Sequence, residues 1–243
     1  MEIIIVKNYQ ELSQVAAAIF AAQLQKKKSS VMGLATGNTM VGMYRQLVRA
    51  YKQKEISFKK MVTFNLDEFV NLSENHPGTL YAFMRKYFFD KVDVNFDHIN
   101  FLDCEAIDPK KECRQYEKQL KKIGPIDMQF LGIGTNGHLA WCEPGTSLKS
   151  RTSLIDLTLS SREAQLVNFK NISDVPKQGY SMGLATILEA KQIVLMASGA
   201  DKAEIIAKAL CSSVTKDLPA SIVQRHNKVT VILDAAAAKN LMI

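Results

Sequence analysis

The sequence lacks the patterns that mark membrane, disulfide-stabilised and zinc-binding proteins. No apolar run approaches the ~20 residues that a membrane-spanning helix requires. The four cysteines have neither C-x-x-C spacing nor a repeating pattern, so we expect reduced thiols rather than a disulfide framework. The four histidines are scattered, without an H-E-x-x-H or H-x-H arrangement, which leaves a zinc site unsupported.

Targeting signals are missing as well. Residues 1–7 contain neither a basic segment nor a small-residue cleavage site, and they are more typical of a first strand than of a signal peptide. We therefore expect a cytoplasmic protein with no membrane partner.

Acidic residues are in deficit, since 24 Asp and Glu against 31 Lys and Arg give a formal net charge of +7. Such a charge suits either a nucleic acid or a small anionic substrate. The lysines form short groups, such as residues 26–28 and 59–60, without interleaved aromatic residues, and no helix-turn-helix or RNP-like pattern occurs. We expect a solvated basic surface and no nucleic-acid partner.

Short apolar runs alternate with longer amphipathic stretches and divide the chain into strands and helices. The apolar runs predict strands at 2–6, 31–35, 62–66, 100–102, 126–131, 192–197 and 229–233. The amphipathic stretches predict helices at 9–26, 40–53, 77–89, 109–122, 176–190 and 202–210. This alternation, without a linker or repeat, indicates one α/β domain over residues 1–243, with a mostly parallel sheet covered by helices on both faces.

Two segments that follow predicted strands suit an anion. The first is the turn formed by Thr36, Gly37, Asn38 and Thr39. Backbone N–H groups and the following helix N-terminus attract negative charge there, although an ordinary N-cap is an equally good interpretation. The second is Lys202, in the first turn of a predicted helix, where a cation is unfavourable unless an anion offsets it; an ordinary exposed lysine is the alternative.

Candidate acid and base groups follow two other strands. Asp67 lies at a strand end, where a carboxylate can act as a general base, although two acids in a loop, Asp67 and Glu68, are more often a solvated turn. The segment 132–144 reads GIGTNGHLAWCEP and places His138 and Glu143 around a glycine-rich turn. Glycines allow close approach to a ligand, and a His–Glu hydrogen-bonded pair could shuttle protons near neutral pH. We favour a functional site here over a structural histidine.

Four segments together resemble one enzyme family. Residues 36–39, 64–69, 132–144 and 198–202 occur in the order and spacing of the glucosamine-6-phosphate deaminase/isomerase family, and the chain is also similar to its galactosamine-6-phosphate branch. The similarity covers nearly the whole chain. The block G-x-G-x-[DN]-G-H-[IL]-x-x-x-E-P is the specific part of the similarity. Each of the other three segments alone is a weak indication of the family.

The resemblance implies a modified Rossmann-like fold and a two-stage reaction. His138 would promote opening of the sugar ring, with Asn136 and Glu143 orienting it. Asp67 would then move a proton between C2 and C1, through an enol-type intermediate that gives the ketose phosphate and ammonia. The turn 36–39 and Lys202 would hold the phosphate, and neither a metal nor an organic cofactor is implied.

Several residues depart from the pattern of the resembling family. Asn136 stands where many members have Asp, and Trp141-Cys142 stand where Phe-Asn is frequent. Residues 165–170 contain no Arg, although many members place a phosphate-binding Arg there. Ser153 and Ile155 replace the Arg and Lys of allosteric hexameric members. We therefore expect a monomer or small homo-oligomer without allosteric activation.

Three alternatives compete with a glucosamine-6-phosphate deaminase. A galactosamine-6-phosphate isomerase would use the same residues on the C4 epimer. A 6-phosphogluconolactonase shares the fold and a similar Gly-His loop, but usually lacks the Glu143-Pro144 pair. A non-catalytic sugar-phosphate sensor would carry a DNA-binding segment and tend to lose the catalytic acids, whereas this chain keeps them.

Overall fold

The computed structural model of the chain describes residues 1–241 apart from the side chain of Val167. The strands in this range are β1 (Glu2–Val6), β2 (Val31–Leu34), β3 (Val62–Asn65), β4 (Asp67–Phe69), β5 (Ile99–Asn100), β6 (Met128–Leu131), β7 (Ser153–Asp156), β8 (Gln178–Ser181), β9 (Ile193–Ala197) and β10 (Val229–Asp234). The α-helices are α1 (Tyr9–Lys26), α2 (Asn38–Lys52), α3 (Leu80–Tyr87), α4 (Pro109–Ile123), α5 (Leu159–Gln165), α6 (Leu184–Leu188) and α7 (Ala203–Cys211).

A seven-stranded sheet forms the centre of the molecule. Its order is β1-β10-β9-β6-β2-β3-β5, and all of its strand pairs are parallel. Every residue of β2, β6, β9 and β10 is buried, because a parallel sheet surrounded by helices buries both of its faces. The predicted α/β fold with a mostly parallel sheet is confirmed.

A second, antiparallel sheet of order β4-β8-β7 lies beyond the end of β3. The helix predicted at 176–190 is wrong, because its first half contains β8 and only Leu184–Leu188 is helical. Gly179 and Gly183 weaken a helix in this segment, and pairing with two neighbouring strands outweighs the local preference. The pair Asp67-Glu68 begins β4 and is buried, so its interpretation as a solvated turn is wrong.

The other predicted elements lie within three residues of the observed ones. The stretch 144–175, which has no regular pattern in the sequence, contains β7, α5 and two short 3-10 turns. Within residues 1–241, no helix is both long and apolar enough to cross a bilayer.

The strand order brings four connections to one edge of the central sheet. After β5 the chain returns to the other side of β2 to form β6, and it then continues outward through β9 and β10. The connections that follow β2, β3, β6 and β9 therefore meet at the carboxyl edge, around the point where the strand order reverses. This is where ligands bind in open α/β sheets.

Helices α1 and α2 approach closely where α2 leaves this edge. The Tyr9 hydroxyl donates to the Asn38 carbonyl oxygen at 2.8 Å and accepts from the Gly42 N–H at 2.7 Å. The hydroxyl is thus inserted into the first turn of α2, between two groups that would otherwise bond to each other. A Cβ at position 42 would lie 2.0 Å from Ser13 Oγ and 2.9 Å from the Tyr9 hydroxyl, so the contact requires glycine.

We expect Gly42→Ala to lower the free energy of unfolding by about 1–3 kcal/mol, because the added methyl group overpacks the contact between α1 and α2. Urea unfolding measures the change. Gly132→Ala is the matched control, since its Cβ would meet only Met40 Cε at 3.6 Å. A Gly42→Ala variant as stable as the wild type would contradict the close packing described here.

Candidate active site

A cleft of about 400 Å3 opens at the carboxyl edge of the central sheet. It is lined by all four residues of the turn 36–39 together with Asp67, Asn136, His138 and Lys202. Glu143 lies directly behind this surface, in contact with Asn136. The structure thus brings together all nine residues that the sequence predicts for the site, although they come from four separate connections.

A larger cavity, of about 680 Å3, lies at the opposite edge of the sheet. Five lysines line it, but among the described residues its lining includes a single acidic residue, Glu55, and no histidine. Size alone therefore does not identify the site. The smaller cleft combines acid and base groups with a helix N-terminus, which is the combination that catalysis requires.

Asp67 is a buried carboxyl group, with 7% of the residue exposed. Burial, with a further contribution from the neighbouring Glu68, raises the pKa of Asp67 to about 7. Its Oδ1 atom makes no hydrogen bond to any residue in the described part of the chain. A carboxyl group in this condition can both take and return a proton near neutral pH.

Glu68, the next residue, is also buried, but its carboxylate is hydrogen-bonded. Its carboxylate accepts hydrogen bonds from the backbone N–H groups of Phe69, Leu80 and Tyr81 at 2.7–3.0 Å. Burial raises the pKa of Glu68 to about 7, although these three donors oppose the shift. The side chain ties β4 to the first turn of α3 and does not line the cleft, so we assign it a structural role.

His138 and Glu143 are close, but they do not form the expected hydrogen bond. His138 Nδ1 lies 3.7 Å from Glu143 Oε2, which exceeds hydrogen-bonding distance. Asn136 contacts both residues instead: its Nδ2 donates to Glu143 Oε2 at 2.6 Å, and its Oδ1 accepts from the His138 backbone N–H at 3.2 Å. An ionised Asp could not donate to Glu143, so the amide at position 136 changes how the pair is held.

Glu143 is held as a carboxylate. Burial alone would raise its pKa, but nearby His138 and hydrogen bonds from Ser161 and Asn136 outweigh burial and lower the pKa to about 2. Ser161 Oγ donates to Glu143 Oε1 at 2.5 Å, and Thr158 Oγ1 donates to the same oxygen at 3.2 Å. The site therefore combines a carboxyl group with a raised pKa, Asp67, in the cleft and one with a lowered pKa, Glu143, directly behind it.

The glycine-rich loop is shaped around the histidine ring. A Cβ at position 134 would lie 2.3 Å from His138 Cε1, so glycine is needed for the imidazole to pack against the loop. Trp141 lines the cleft and packs on Phe69, with ring centroids 5.0 Å apart. Cys142 faces away from the cleft and directs its Sγ to the Met182 carbonyl oxygen at 3.3 Å.

The first turn of α2 forms the other end of the cleft. Gly37 is the N-cap with φ 98°, a conformation that favours glycine, and no side chain caps the helix. The first backbone N–H groups of α2 are therefore available to an anion. Asn38 and Thr39 begin the helix, so the anion-binding turn is part of its N-terminus.

Lys202 is the only lysine or arginine among the described residues that line the cleft. The turn that leads to it is held by Asp234, which accepts hydrogen bonds from Ser198 Oγ at 2.5 Å and from the Gly199 N–H at 3.1 Å. Arg162 is near in sequence to the region that lacks Arg, but its guanidinium binds backbone carbonyl oxygens and does not line the cleft. Asp234 and Ser161 carry no sequence signal, since their partners lie far away along the chain.

These features define a class of protein: an α/β fold with acid and base groups and an anion-binding turn in one cleft. A family model described as glucosamine-6-phosphate isomerases/6-phosphogluconolactonase matches residues 7–232. A glucosamine-6-phosphate deaminase of Geobacillus sp. (strain WCH70) is 43% identical over 237 residues, which cover 98% of this chain and 94% of the relative. The chain therefore belongs to the glucosamine-6-phosphate isomerase/6-phosphogluconolactonase family.

Solved structures agree with this membership. A monomeric glucosamine-6-phosphate deaminase is 41% identical and superposes with a TM-score of 0.96, covering 99% of this chain and 100% of that one. A 6-phosphogluconolactonase from Trypanosoma cruzi is 20% identical with a TM-score of 0.79, covering 100% and 97% of the two chains. The second similarity shows a common fold and nothing finer.

We expect Asp67→Asn to raise the free energy of unfolding at pH 8 by up to about 4 kcal/mol, since the neutral amide avoids burying a charge. The folded pKa of Asp67, about 7, lies above its usual value of 3.8. The cost of the wild-type carboxylate is thus absent below pH ~4, grows as the pH rises, and is complete above pH ~7.

Urea unfolding at pH 5 and pH 8 measures this effect, and the stabilisation should be larger at pH 8. Asp97→Asn at an exposed position is the control, with an expected change within about 0.5 kcal/mol. Equal stabilisation at both pH values would contradict a raised pKa for Asp67.

Proposed function

We propose that this protein is a glucosamine-6-phosphate deaminase, which converts glucosamine 6-phosphate and water to fructose 6-phosphate and ammonia. The observation that carries the proposal is the placement of Asp67, His138 and the α2 N-terminus around one cleft. The relatives named above as glucosamine-6-phosphate deaminases support this substrate over the galactosamine epimer and over a non-catalytic sensor.

Ring opening is the first step. The closed sugar binds with its phosphate at the turn 36–39 and Lys202, and with C1 and the ring oxygen at His138. His138 delivers a proton to the ring oxygen as the C1 hydroxyl loses its proton to solvent water, so the C1–ring oxygen bond breaks and an aldehyde forms. Because Nδ1 is directed toward Glu143, Nε2 is the nitrogen that reaches the sugar.

Proton transfer between carbons is the second step. Asp67 in its ionised form removes the C2 proton, and the electron pair forms the C1–C2 double bond of an enol-type intermediate as O1 gains a proton from the C2 ammonium group. The protonated Asp67 returns the proton to C1, which leaves a C2 imine. Water adds to the imine carbon and ammonia departs, giving the ketose. A base with a pKa near 7 suits both halves of this transfer, and no step calls for a metal or cofactor.

The role of Glu143 in this scheme is electrostatic. A carboxylate 3.7 Å from His138 Nδ1 attracts the positive charge on the ring that donates the proton. Asn136 joins the two groups by its two hydrogen bonds. These residues therefore act on the substrate through His138, as positioning groups.

The proposal also covers the domain organisation, the oligomeric state and the cellular location of the protein. Residues 1–243 would act as one catalytic domain, and the monomeric relative supports activity as a monomer. The four cysteines are free thiols, as is usual in a reducing compartment, which supports a cytoplasmic location.

Ammonia release tests the proposal directly. We expect turnover of glucosamine 6-phosphate, with galactosamine 6-phosphate assayed in parallel, and a loss of at least ~10³-fold in kcat for Asp67→Asn because the only proposed C2 base is removed. Ammonia release from galactosamine 6-phosphate alone would mean that the substrate is this C4 epimer and not glucosamine 6-phosphate. No release from either substrate by folded protein would overturn it.

Lys202→Met tests the phosphate end. We expect KM for glucosamine 6-phosphate to rise roughly tenfold or more, with a smaller change in kcat, because one charge-assisted contact to the substrate is lost. Lys170→Met is the matched control: Lys170 is exposed and lies outside the cleft, so its KM should stay within about twofold. Equal effects of the two substitutions would show that Lys202 does not bind the phosphate.

A further inference from the structure

Glu143 is held from two sides by different parts of the chain. Asn136, in the same loop, donates to Oε2 at 2.6 Å. Ser161 and Thr158, at the start of α5, donate to Oε1 at 2.5 Å and 3.2 Å. One carboxylate therefore joins the loop that carries His138 to a helix in the stretch 144–175.

Helix α5 is also a wall of the cleft. Ser160, Ser161, Ala164 and Gln165 line the cleft together with the residues at the sheet edge. The position of α5 consequently sets the width of the space in which a sugar phosphate would bind.

The middle of α5 and the segment that follows it are fixed independently of Glu143. Arg162 donates to the carbonyl oxygens of Ile172 and Val175. Phe169 packs edge-on against Phe69, with centroids 5.7 Å apart, and stacks on His76 at 5.3 Å. At the near end, the polar contacts of the α5 side chains with the His138 loop are those of Thr158 and Ser161 with Glu143.

Of these two hydroxyl groups, Ser161 is the better placed to fix the carboxylate. Ser161 is 5% exposed, whereas Thr158 is exposed. Thr158 Oγ1 also caps α5 by accepting from the Ser161 N–H and contacts Ser160 Oγ at 3.0 Å. The buried, short contact to a charged acceptor belongs to the strong class of hydrogen bonds.

We propose that Ser161 is a positioning residue, which through its hydrogen bond to Glu143 couples the placement of α5 over the substrate to the orientation of the His138–Glu143 pair. The inference rests on the proposed deaminase function for its kinetic consequence. Its structural part, the attachment of α5 to the loop, holds for any ligand of the cleft.

Without the Ser161 hydroxyl, the carboxylate keeps Asn136 but loses its strongest contact with α5. Asn136 and Thr158 remain as donors to Glu143 but orient it less firmly toward His138, and Thr158 is then the only α5 side chain of the described residues that is hydrogen-bonded to this carboxylate. Ring opening depends on the histidine, so the loss falls on kcat more than on the binding of ground-state substrate.

Ser161→Ala is the first test, with kcat and KM for glucosamine 6-phosphate as readouts. We expect kcat to fall about 10-fold or more, the size of a lost hydrogen bond to a charged group, while KM stays within about threefold. Ser161→Thr keeps a hydroxyl donor and should recover most of the lost kcat. A wild-type kcat in the Ala variant overturns the proposal, and so does an equal loss in the Thr variant.

Ser30→Ala is the matched control. Ser30 is fully buried and hydrogen-bonded like Ser161, but it lies before β2, at the opposite edge of the sheet. The control removes a buried serine hydroxyl without touching the cleft, and its kcat should equal that of the wild type. If kcat falls as much in Ser30→Ala as in Ser161→Ala, the loss reflects general destabilisation of the protein, and the proposal is overturned.

Amide hydrogen exchange provides a readout that does not depend on activity. In the ligand-free protein, amides of residues 159–165 should exchange about 10-fold faster in Ser161→Ala than in the wild type or in Ser30→Ala. Unchanged exchange overturns the attachment of α5. If the wild type releases no ammonia but Ser161→Ala still exchanges faster, the deaminase proposal fails, whereas the attachment of α5 through Ser161 is supported.

Discussion

The burial of the Asp67 carboxyl group, without a hydrogen-bond partner for Oδ1 in the described part of the chain, is the constraint on which the site depends. Desolvation raises the pKa of this group to about 7. Directly behind the cleft surface, hydrogen bonds and a nearby histidine lower the pKa of Glu143 to about 2. Two carboxyl groups with pKa values displaced in opposite directions are a mark of divided acid/base roles. Here Asp67 can exchange a proton, while Glu143 remains an anion.

The fold produces these two environments by joining two sheets. Asp67 leaves the central parallel sheet and enters β4, where it pairs with Ser181 of β8, and this second sheet covers it from solvent. Ser181 Oγ also accepts from the Trp141 N–H at 3.1 Å, so β8 anchors the loop that carries His138. The antiparallel sheet therefore connects Asp67 to the loop that carries His138. The same arrangement buries the Asp67 carboxylate, which destabilises the ligand-free protein at neutral pH.

Much of the fold and the site could be predicted from the sequence, for identifiable reasons. The buried parallel strands are short apolar runs, and the site residues follow them because parallel strands end at one edge. The helix predicted at 176–190 is wrong because β8 is defined by its pairing with β4 and β7, which are distant in sequence. Ser161 and Asp234 could not be predicted for the same reason, since each acts on a partner 18 or 36 residues away. The expected His138–Glu143 hydrogen bond is replaced by contacts through Asn136.

The most direct test of this account is a carbon-13 NMR titration of the aspartate and glutamate carboxyl groups in the ligand-free protein. Asp67→Asn and Glu143→Gln would assign the two signals. The account predicts that Asp67 titrates near pH 7 and that Glu143 shows no titration between pH 4 and pH 8, as their pKa values of about 7 and about 2 require. Titration of Asp67 near its usual value of 3.8 would contradict the central claim that burial prepares this carboxyl group for proton transfer.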